Sequence, residues 1–343
     1  MPDDRASSAP SRSIAPEPRP GKLTASDLVG MYRTMVLSRV LDERIWLLNR
    51  QGKAAIVASA QGHEAAQVAL ARATDPARDH YLIYYRELTT LLALGMTPLE
   101  LLKGFLCRDG EPLSGGRQFP THGAHPRVDL FSFSNVVGTQ LPQAAGVALA
   151  DKMRGEARAT IVYFGDGATS QGDCHEAMNF AAIHRLPVVF FCENNRYAIS
   201  VPLSKQMAIE NVAARAAGYG MPGVTVDGTD VIAVFEAAQA AVARARGGKG
   251  PTLIEAMVER LFPHTSDDDH TRYRSADDIK QMRGKDPIAI LETQLRRQRL
   301  LDDALHTEIW AEAKRIVNQA TEQAEAAGFP DPGDFSKRLY AEG

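Results

Sequence analysis

The chain has 343 residues, of which 44% are hydrophobic and 24% charged, a composition typical of a folded globular protein. The formal net charge is −3 and the basic residues form no block, which argues against binding to nucleic acid or to an anionic membrane surface. The longest apolar runs are far shorter than the ~20 residues that a membrane-spanning helix needs. A small-molecule or protein substrate is therefore expected.

The cysteines and the first residues indicate the compartment. Cys107, Cys174 and Cys192 are far apart, odd in number and without metal-type spacing, which predicts a reducing, cytoplasmic environment. The first 21 residues are rich in Pro, Ser and Arg, include acidic residues and have no apolar segment, which argues against a signal or transit peptide. We expect a flexible arm at 1–21, one domain at 22–330 and a tail at 331–343.

A long amphipathic helix is predicted from a cap at Thr24 or Ser26 to Leu48, because apolar residues recur at helical spacing before a glycine stop at Gly52. Further elements are predicted in the next hundred residues. They are a helix at 59–73, a short strand or helix start at 79–87, a helix at 97–106 with Pro98 in its first turn, and a loop rich in Gly, Pro and His at 109–126. That loop is long enough to suspect a function.

The centre of the chain has the pattern of a βαβ unit. Its predicted elements are a helix at 141–153, a strand at 159–164, a helix at 174–185 and a strand at 187–192. Both strands are apolar throughout, as parallel strands covered on both faces are. Later elements are predicted as parallel strands at 223–228 and 251–259 and helices at 230–245 and 286–326. The fold class predicted is α/β, with a parallel sheet covered by helices on both faces.

Polar residues follow the two central strands where each strand ends. Gly165-Asp166-Gly167 follows the first strand and Asn195 follows the second. Because the carboxyl ends of parallel strands meet at one edge of a sheet, these residues are expected to share the crevice in which such sheets bind ligands. A carboxylate, an amide and a nearby backbone carbonyl suit Mg²⁺ that holds a diphosphate, and the glycines permit positive φ and close approach. The plain alternative is a glycine turn in which the aspartate caps a helix.

Other phosphate-binding patterns fit less well. The dinucleotide pattern and the P-loop are both absent from the central strands. An enzyme that forms an aspartyl-phosphate can also contain Gly-Asp-Gly, but it needs a nucleophilic aspartate on an early strand. The nearest candidate, TVDGTD at 225–230, lies late in the chain and has Thr225 where a second carboxylate is wanted.

The stretch FGDGATSQGDCHEAMNFAAIHRLPVVFFCENNRYAIS, residues 164–200, resembles the thiamine diphosphate motif. More broadly, residues 24–325 resemble the alpha subunit of the decarboxylating component of 2-oxo acid dehydrogenase complexes. The segments most similar to branched-chain members are GRQFPTHGAH, GTQLPQAAGVALA, CENNRYAIS and PHTSDDDHTRYRS. The resemblance implies the thiamine diphosphate-binding fold and oxidative decarboxylation of branched-chain 2-oxo acids, with acyl transfer to the lipoyl group of the acyltransferase component.

The resemblance also implies residue roles. Asp166, Asn195 and the backbone carbonyl of Tyr197 would bind Mg²⁺, and His264 would act at the reaction centre. The cofactor contacts that it implies are Tyr85, Arg86, Asn135, Val137, Gly165, Asp166, Gly167, Ala168, Asn195, Arg260 and His264. The loop at 262–274 would order over the cofactor and dock the lipoyl domain. Without the resemblance, Arg86 and His264 would be taken as surface residues and Asp267-Asp268-Asp269 as a solvated charge run.

A possible potassium site is implied by the segment SFSNVVGTQ. Its oxygen donors are Ser134, the Val136 carbonyl, Thr139 and Gln140, and the alternative is an ordinary loop with a helix cap. His122 matches a histidine of the family's substrate-side loop, but His122 and His125 lack the ligand set of a zinc site. Two positions depart from the family pattern. Glu193 replaces a phosphate-binding Arg of some members, and Asn135 replaces a serine of the mammalian branched-chain pattern.

The sequence contains one thiamine-type half-site, and a second full α/β domain would not fit beside it in about 300 ordered residues. In the family, the glutamate that activates the cofactor comes from a separate beta subunit, so the resemblance implies an α₂β₂ assembly with the cofactor between unlike chains. Pyruvate and acetoin dehydrogenase alpha subunits remain open as alternatives. A non-catalytic, cofactor-binding scaffold on the same fold is a further alternative.

Overall fold

The structure, a computed structural model, describes residues 21–125, 127–132 and 134–337. Residues 1–20 of the expected arm, residues 338–343 of the expected tail and Pro126 of the predicted loop lie outside this range. Helix α1, Ala25–Arg50, begins where predicted: Thr24 Oγ1 accepts from Asp27 N at 3.2 Å, and the Asp27 carboxylate accepts from Thr24 N at 2.9 Å. These reciprocal bonds satisfy backbone donors that the helix leaves unpaired.

The helix predicted at 59–73 is shorter than expected, because α2 spans only Glu64–Arg72. The five residues before it form a loop that is held by the buried carboxylate of Asp42, on α1. Asp42 Oδ1 accepts from Ser59 Oγ at 2.8 Å, and Oδ2 accepts from Ala60 N at 2.9 Å. The Asp42 carboxylate therefore accepts hydrogen bonds from this segment and holds it as a loop, although its local propensity favours a helix.

The ambiguous stretch at 79–87 contains a strand and leads into a helix. Strand β1 is His80–Leu82, α3 is Leu88–Ala93, and α4 is Pro98–Phe105. The start of α4 is as predicted, with Pro98 in the first turn and a capping box on Thr97. The predicted loop after α4 has no regular secondary structure over residues 108–124.

The central βαβ unit is confirmed. Helix α5 is Gln140–Arg154, β2 is Thr160–Gly165, α6 is Gly172–Ile183 and β3 is Val188–Asn194. Strands β2 and β3 are parallel, and Gly165 pairs with Glu193. Asp166 and Asn195 therefore leave the sheet at the same edge, as the sequence predicted.

A hairpin of β4, Tyr197–Ala198, and β5, Val201–Pro202, follows β3 and runs into the short helix α7, Leu203–Gln206. The remaining elements are β6 Gly223–Asp227, α8 Val231–Arg246, β7 Thr252–Met257, α9 Ala276–Arg283, α10 Pro287–Arg297 and α11 Asp303–Ala326. The prediction of one helix at 286–326 is wrong. Arg299 has φ +56°, and Asp302 caps a new helix, so the chain turns between α10 and α11.

Among the described residues, the main sheet has the order β1-β2-β3-β7-β6, and all its pairings are parallel. Alternate residues of β2 face opposite sides: Tyr163 packs with a core that includes α1, α2, α8 and α11, whereas Phe164 packs with a core that includes α5 and α6. The fold is therefore α/β with a parallel sheet covered on both faces, as predicted. No helix in the described ranges is both long and apolar enough to cross a bilayer.

Gly62, in the loop before α2, allows the chain to pack against the segment that follows β7. Its φ is +96°, and a Cβ at this position would lie 1.9 Å from the Glu259 carbonyl oxygen. Leu261 N donates to Gln61 O at 3.1 Å across the same contact. The close approach fixes the backbone on both sides of Arg260.

We expect Gly62→Ala to lower the free energy of unfolding by about 3 kcal/mol or more, since it adds a steric overlap with backbone to an unfavourable φ. Gly52→Ala is the matched control, because Gly52 has φ +73° and open space around it. The control should lose only about 1–2 kcal/mol. Denaturant unfolding of the purified chain measures both, and equal losses would contradict the close-packing argument.

Candidate functional site

A pocket of about 470 Å³ lies at the carboxyl ends of β2 and β3. Most of the predicted site residues line it. They are Tyr85, Arg86, Ser134, Asn135, Val136, Val137, Gln140, Gly165, Asp166, Gly167, Ala168, Asn195, Tyr197 and His264. Arg260 and Thr139 lie behind this lining and contact His264 and Ser134, respectively. The topology therefore gathers residues from five separate stretches of the sequence around one cavity.

The Gly-Asp-Gly segment forms a tight turn at the end of β2, and Asp166 begins a short 3-10 helix, Asp166–Ser170. Its glycines do not use the positive φ that they permit: Gly165 has φ −86°, and Gly167 is not among the positive-φ glycines of the described chain. Close approach is the reason for Gly167, since a Cβ there would lie 2.8 Å from the Ala198 Cβ. The turn therefore packs directly against the β4–β5 hairpin.

Of the three predicted magnesium ligands, Asp166 begins this turn, Asn195 directly follows β3, and Tyr197 begins the hairpin. Asp166 is 1% exposed, and burial raises the pKa of its carboxyl, while a hydrogen bond from Gln206 Nε2 to Oδ2 at 2.7 Å opposes that rise. Asn195 Oδ1 accepts from Tyr197 N at 3.2 Å, which brings the amide close to the hairpin backbone. Within the described residues, no cluster of three or more His, Cys, Asp or Glu could hold a metal. One carboxylate, one amide and one carbonyl are instead a hard oxygen set that suits Mg²⁺ completed by phosphate and water.

Arg86 and Arg260 place two buried guanidinium groups beside the pocket, 1% and 0% exposed. Arg86 Nη1 donates to Ser59 O at 2.6 Å, and Arg260 Nη2 donates to Ile199 O at 2.9 Å. Across the part of the chain that the structure describes, neither guanidinium forms an ion pair with a carboxylate. Burial and the neighbouring Arg86 lower the pKa of Arg260 to about 10. Buried charges are normally paired, so this arrangement calls for an anionic ligand.

His264 lies between the two guanidiniums. Its Nδ1 is 3.4 Å from Arg86 Nη2 and 3.2 Å from Arg260 Nη1. Burial, with the charges of Arg86 and Arg260, lowers the pKa of His264 from 6.5 to about 3. The ring is therefore neutral at pH 7. Because two N–H donors face Nδ1, the ring proton lies on Nε2, which remains available as a donor.

The predicted loop at 262–274 is folded over this group of cations. Asp268 Oδ2 accepts from His264 N at 2.7 Å, and Arg260 Nη2 donates to the Tyr273 hydroxyl at 2.7 Å. Tyr273 in turn donates to Asp268. Of the three consecutive aspartates, Asp268 is thus a structural member of the loop, and the reading of the whole run as solvated charge is wrong for this residue.

A buried carboxyl pair lies beneath the pocket, and the sequence predicted neither its burial nor its pairing. Glu193 and Glu87 are both 0% exposed, and Glu193 Oε2 accepts from the Tyr84 hydroxyl at 2.6 Å and lies 2.8 Å from His63 Nδ1. Burial and the adjacent Glu193 charge raise the pKa of Glu87 well above its ordinary 4.5. Glu193 therefore organises the residues under Tyr85 and Arg86. The sequence signal for Glu193 was a glutamate directly after an apolar strand, whereas Glu87, which follows Arg86, had no such signal.

The raised pKa of Glu87 makes stability depend on pH. The folded chain keeps the Glu87 proton at pH values where the unfolded chain has lost it, so stability falls as pH rises above the ordinary 4.5. We expect Glu87→Gln to remove this contribution. Between pH 4.5 and the raised pKa of Glu87, the unfolding free energy of the variant should rise relative to that of the wild type by up to about 1.4 kcal/mol per pH unit.

Unfolding free energies between about pH 5 and pH 9 measure this difference. Glu43→Gln is the control, since Glu43 is an exposed glutamate on α1. Its profile should run parallel to that of the wild type. A parallel profile for Glu87→Gln as well would show that Glu87 is ionised in the folded chain.

The turn before α5 brings the predicted potassium donors together. Ser134 Oγ lies 3.0 Å from Thr139 Oγ1, and Thr139 Oγ1 donates to Val136 O at 3.0 Å. Gln140 Nε2 donates to Tyr163 O at 3.0 Å, which ties the turn to β2. Ser134 Oγ, Thr139 Oγ1 and Val136 O lie together, but the hydrogen bonds that join them are also those of an ordinary loop, so potassium binding stays a prediction.

A parallel-sheet fold with a ligand pocket at its strand ends defines a class of α/β proteins that bind cofactors or substrates in a crevice. A family profile described as "Dehydrogenase E1 component" matches residues 32–333. The chain therefore belongs to the dehydrogenase E1 component family, whose members use thiamine diphosphate.

Several curated relatives cover most of the chain. One is the 2-oxoisovalerate dehydrogenase subunit alpha of Bacillus subtilis, 47% identical over 93% of this chain and 97% of its own length. Another is the 3-methyl-2-oxobutanoate dehydrogenase subunit alpha of Mycobacterium tuberculosis, 40% identical over 91% of this chain and 82% of its own. The pyruvate dehydrogenase E1 component subunit alpha of Staphylococcus aureus is also 40% identical, over 88% of this chain and 79% of its own.

Proposed function

We propose that this chain is the alpha subunit of a branched-chain 2-oxo acid dehydrogenase. It catalyses, with its partners, oxidative decarboxylation of the 2-oxo acid and acyl transfer to the lipoyl group of an acyltransferase. The observation that best supports this function is the pair of buried guanidiniums, Arg86 and Arg260, without a carboxylate partner among the described residues. They lie beside Asp166 and Asn195, the oxygen donors that suit a divalent cation. A diphosphate with bound Mg²⁺ would neutralise both arginines.

The residues of the pocket divide into three groups around such a cofactor. Asp166, Asn195 and the carbonyl of Tyr197 would hold Mg²⁺, while Arg86, Arg260 and His264 would bind diphosphate oxygens. The remaining contacts would come from Tyr85, Asn135, Val137, Gly165, Gly167 and Ala168. The turn formed by Ser134, Val136, Thr139 and Gln140 would bind K⁺ and fix the loop that supplies Asn135 and Val137. When bound, thiamine diphosphate supplies the decarboxylation chemistry and holds the electrons that remain after CO₂ leaves.

His264 would act as a neutral hydrogen-bond donor at the reaction centre. Burial disfavours the charged ring, and the two guanidinium N–H donors at Nδ1 leave its proton on Nε2, so the residue can polarise a substrate or cofactor oxygen without bringing a full positive charge. The loop around it, held by Asp268 and Tyr273, keeps the ring in place and limits the access of water.

We expect His264→Ala to lower decarboxylation or acyl transfer by about 10²-fold or more, while cofactor affinity changes by less than about tenfold. His270→Ala is the control for decarboxylation, because His270 lies on the same loop and does not line the pocket. Both half-reactions and the dissociation constant of the cofactor should be measured in the complex with the beta subunit. Wild-type rates for His264→Ala would return this residue to a structural role.

The substrate side of the pocket is apolar. Ile56, Phe105 and Phe119 line it, together with Tyr85 and His122. Such a surface accepts a branched aliphatic chain, and the Bacillus subtilis relative is named for such a substrate. The Staphylococcus aureus relative, at a lower 40% identity, keeps pyruvate as the alternative substrate. A difference of one or two methylenes is worth only about 1–3 kcal/mol, so pocket shape alone gives limited discrimination.

The partners that we propose are a beta subunit in an α₂β₂ heterotetramer and the lipoyl domain of the acyltransferase component. Exposed apolar side chains on α5 and α6, namely Met153, Phe180 and Ile183, support contact with another subunit. The loop at 262–274 would meet the lipoyl domain. The cysteines Cys107, Cys174 and Cys192 are free thiols, which suits the proposed cytoplasmic location.

The test is steady-state decarboxylation with an artificial electron acceptor, by the purified chain alone and after addition of the beta subunit. The chain alone should be inactive and bind thiamine diphosphate weakly, because it supplies only the diphosphate side of the site. The complex should use 3-methyl-2-oxobutanoate with a higher kcat/KM than pyruvate or acetoin. Full activity of the lone chain would contradict an active site shared between the alpha and beta subunits. A higher kcat/KM for pyruvate would instead favour a pyruvate dehydrogenase.

A further inference from the structure

The amide of Gln206 contacts the carboxylate that the proposed function assigns to the metal. Gln206 Nε2 donates to Asp166 Oδ2 at 2.7 Å and to Val201 O at 3.0 Å. Both partners are acceptors, so only the amino group of the amide can satisfy them, which fixes the orientation of the side chain. Gln206 therefore joins the Gly-Asp-Gly turn to the β4–β5 hairpin.

The chain reaches this contact through a short and well-anchored segment. After the hairpin, Leu203 N donates to Arg196 O at 2.9 Å, and helix α7 ends at Gln206. The hairpin itself packs on Gly167, where no side chain would fit beside Ala198. Gln206 is thus returned to Asp166 across 40 positions of sequence by the same hairpin that supplies the Tyr197 carbonyl.

The other end of the amide is unsatisfied. Gln206 Oε1 is buried and has no hydrogen-bond partner among the described residues. A buried acceptor without a donor costs about 1–3 kcal/mol, so such atoms usually mark the place of a water or ligand. Mg²⁺ in proteins keeps several bound waters, which are strong donors.

We propose that Gln206 is a positioning residue of the magnesium site. It occupies Oδ2 of Asp166, which would leave Oδ1 for the cation, and its Oε1 would accept a hydrogen bond from a water bound to the cation. This inference rests on the proposed function, because it assumes that Asp166 binds Mg²⁺ together with thiamine diphosphate. Residues that orient metal ligands in this way typically contribute 10–100-fold to metal affinity.

The test is Gln206→Met, which keeps the length of the side chain and removes both the donor and the acceptor. Calorimetric titration of Mg²⁺ into the complex with the beta subunit and saturating thiamine diphosphate should show a dissociation constant raised about 10–100-fold. At saturating Mg²⁺, kcat should stay within about threefold of wild type, because no group that touches the reacting atoms has changed. Lys205→Ala, an exposed neighbour on α7, should leave the Mg²⁺ affinity unchanged.

Two further measurements separate the possible failures. If Gln206→Met lowers the melting temperature of the cofactor-free complex but binds Mg²⁺ as wild type does, Gln206 is only a structural tie and the inference is overturned. Asp166→Ala should abolish Mg²⁺-dependent cofactor binding. If Asp166→Ala instead leaves that binding unchanged, the metal assignment in the proposed function fails, whatever Gln206 does.

Discussion

Arg86 and Arg260 lie on either side of His264 Nδ1 in the protein interior, and neither guanidinium forms an ion pair with a carboxylate of the described chain. Two like charges in a buried, partly desolvated setting repel one another, and the fold has to hold them against this repulsion. Backbone carbonyls do so: Ser59 O holds Arg86, and Ile199 O holds Arg260. The rest of the site follows from this constraint, since an anionic ligand would stabilise both guanidiniums.

The parallel sheet and the edge at which the site lies could be predicted from the sequence. Strands β2 and β3 are apolar throughout and flank one helix, so their carboxyl ends had to meet, and Asp166 and Asn195 follow them directly. The local sequence pattern was sufficient to predict this edge, because continuous apolar runs mark strands buried on both faces, and one intervening helix makes the two strands parallel. The residues that come from distant loops, such as Arg86 and His264, became candidates only through resemblance to a family.

Other features depend on tertiary contacts that no local pattern reports. Helix α2 starts later than its sequence predicts, because the Asp42 carboxylate accepts hydrogen bonds from Ser59 Oγ and Ala60 N and holds these residues in a loop. The break between α10 and α11 depends on a left-handed residue, Arg299, that composition does not single out. Gln206 reaches Asp166 only because a hairpin reverses the chain. Hydrogen bonds from distant side chains to the backbone compete with the local propensity to form a helix, and the sequence does not show whether a segment becomes a helix or a loop.

Asp42 has a consequence that reaches beyond helix α1. Its carboxylate holds the loop whose Ser59 carbonyl accepts the hydrogen bond from Arg86, so a residue far from the pocket in sequence sets the position of a guanidinium within it. Evolutionary change on the inner face of this helix is therefore limited by ligand chemistry as well as by packing. Its outward positions, such as Glu43, are free of that limit and can diverge among homologues.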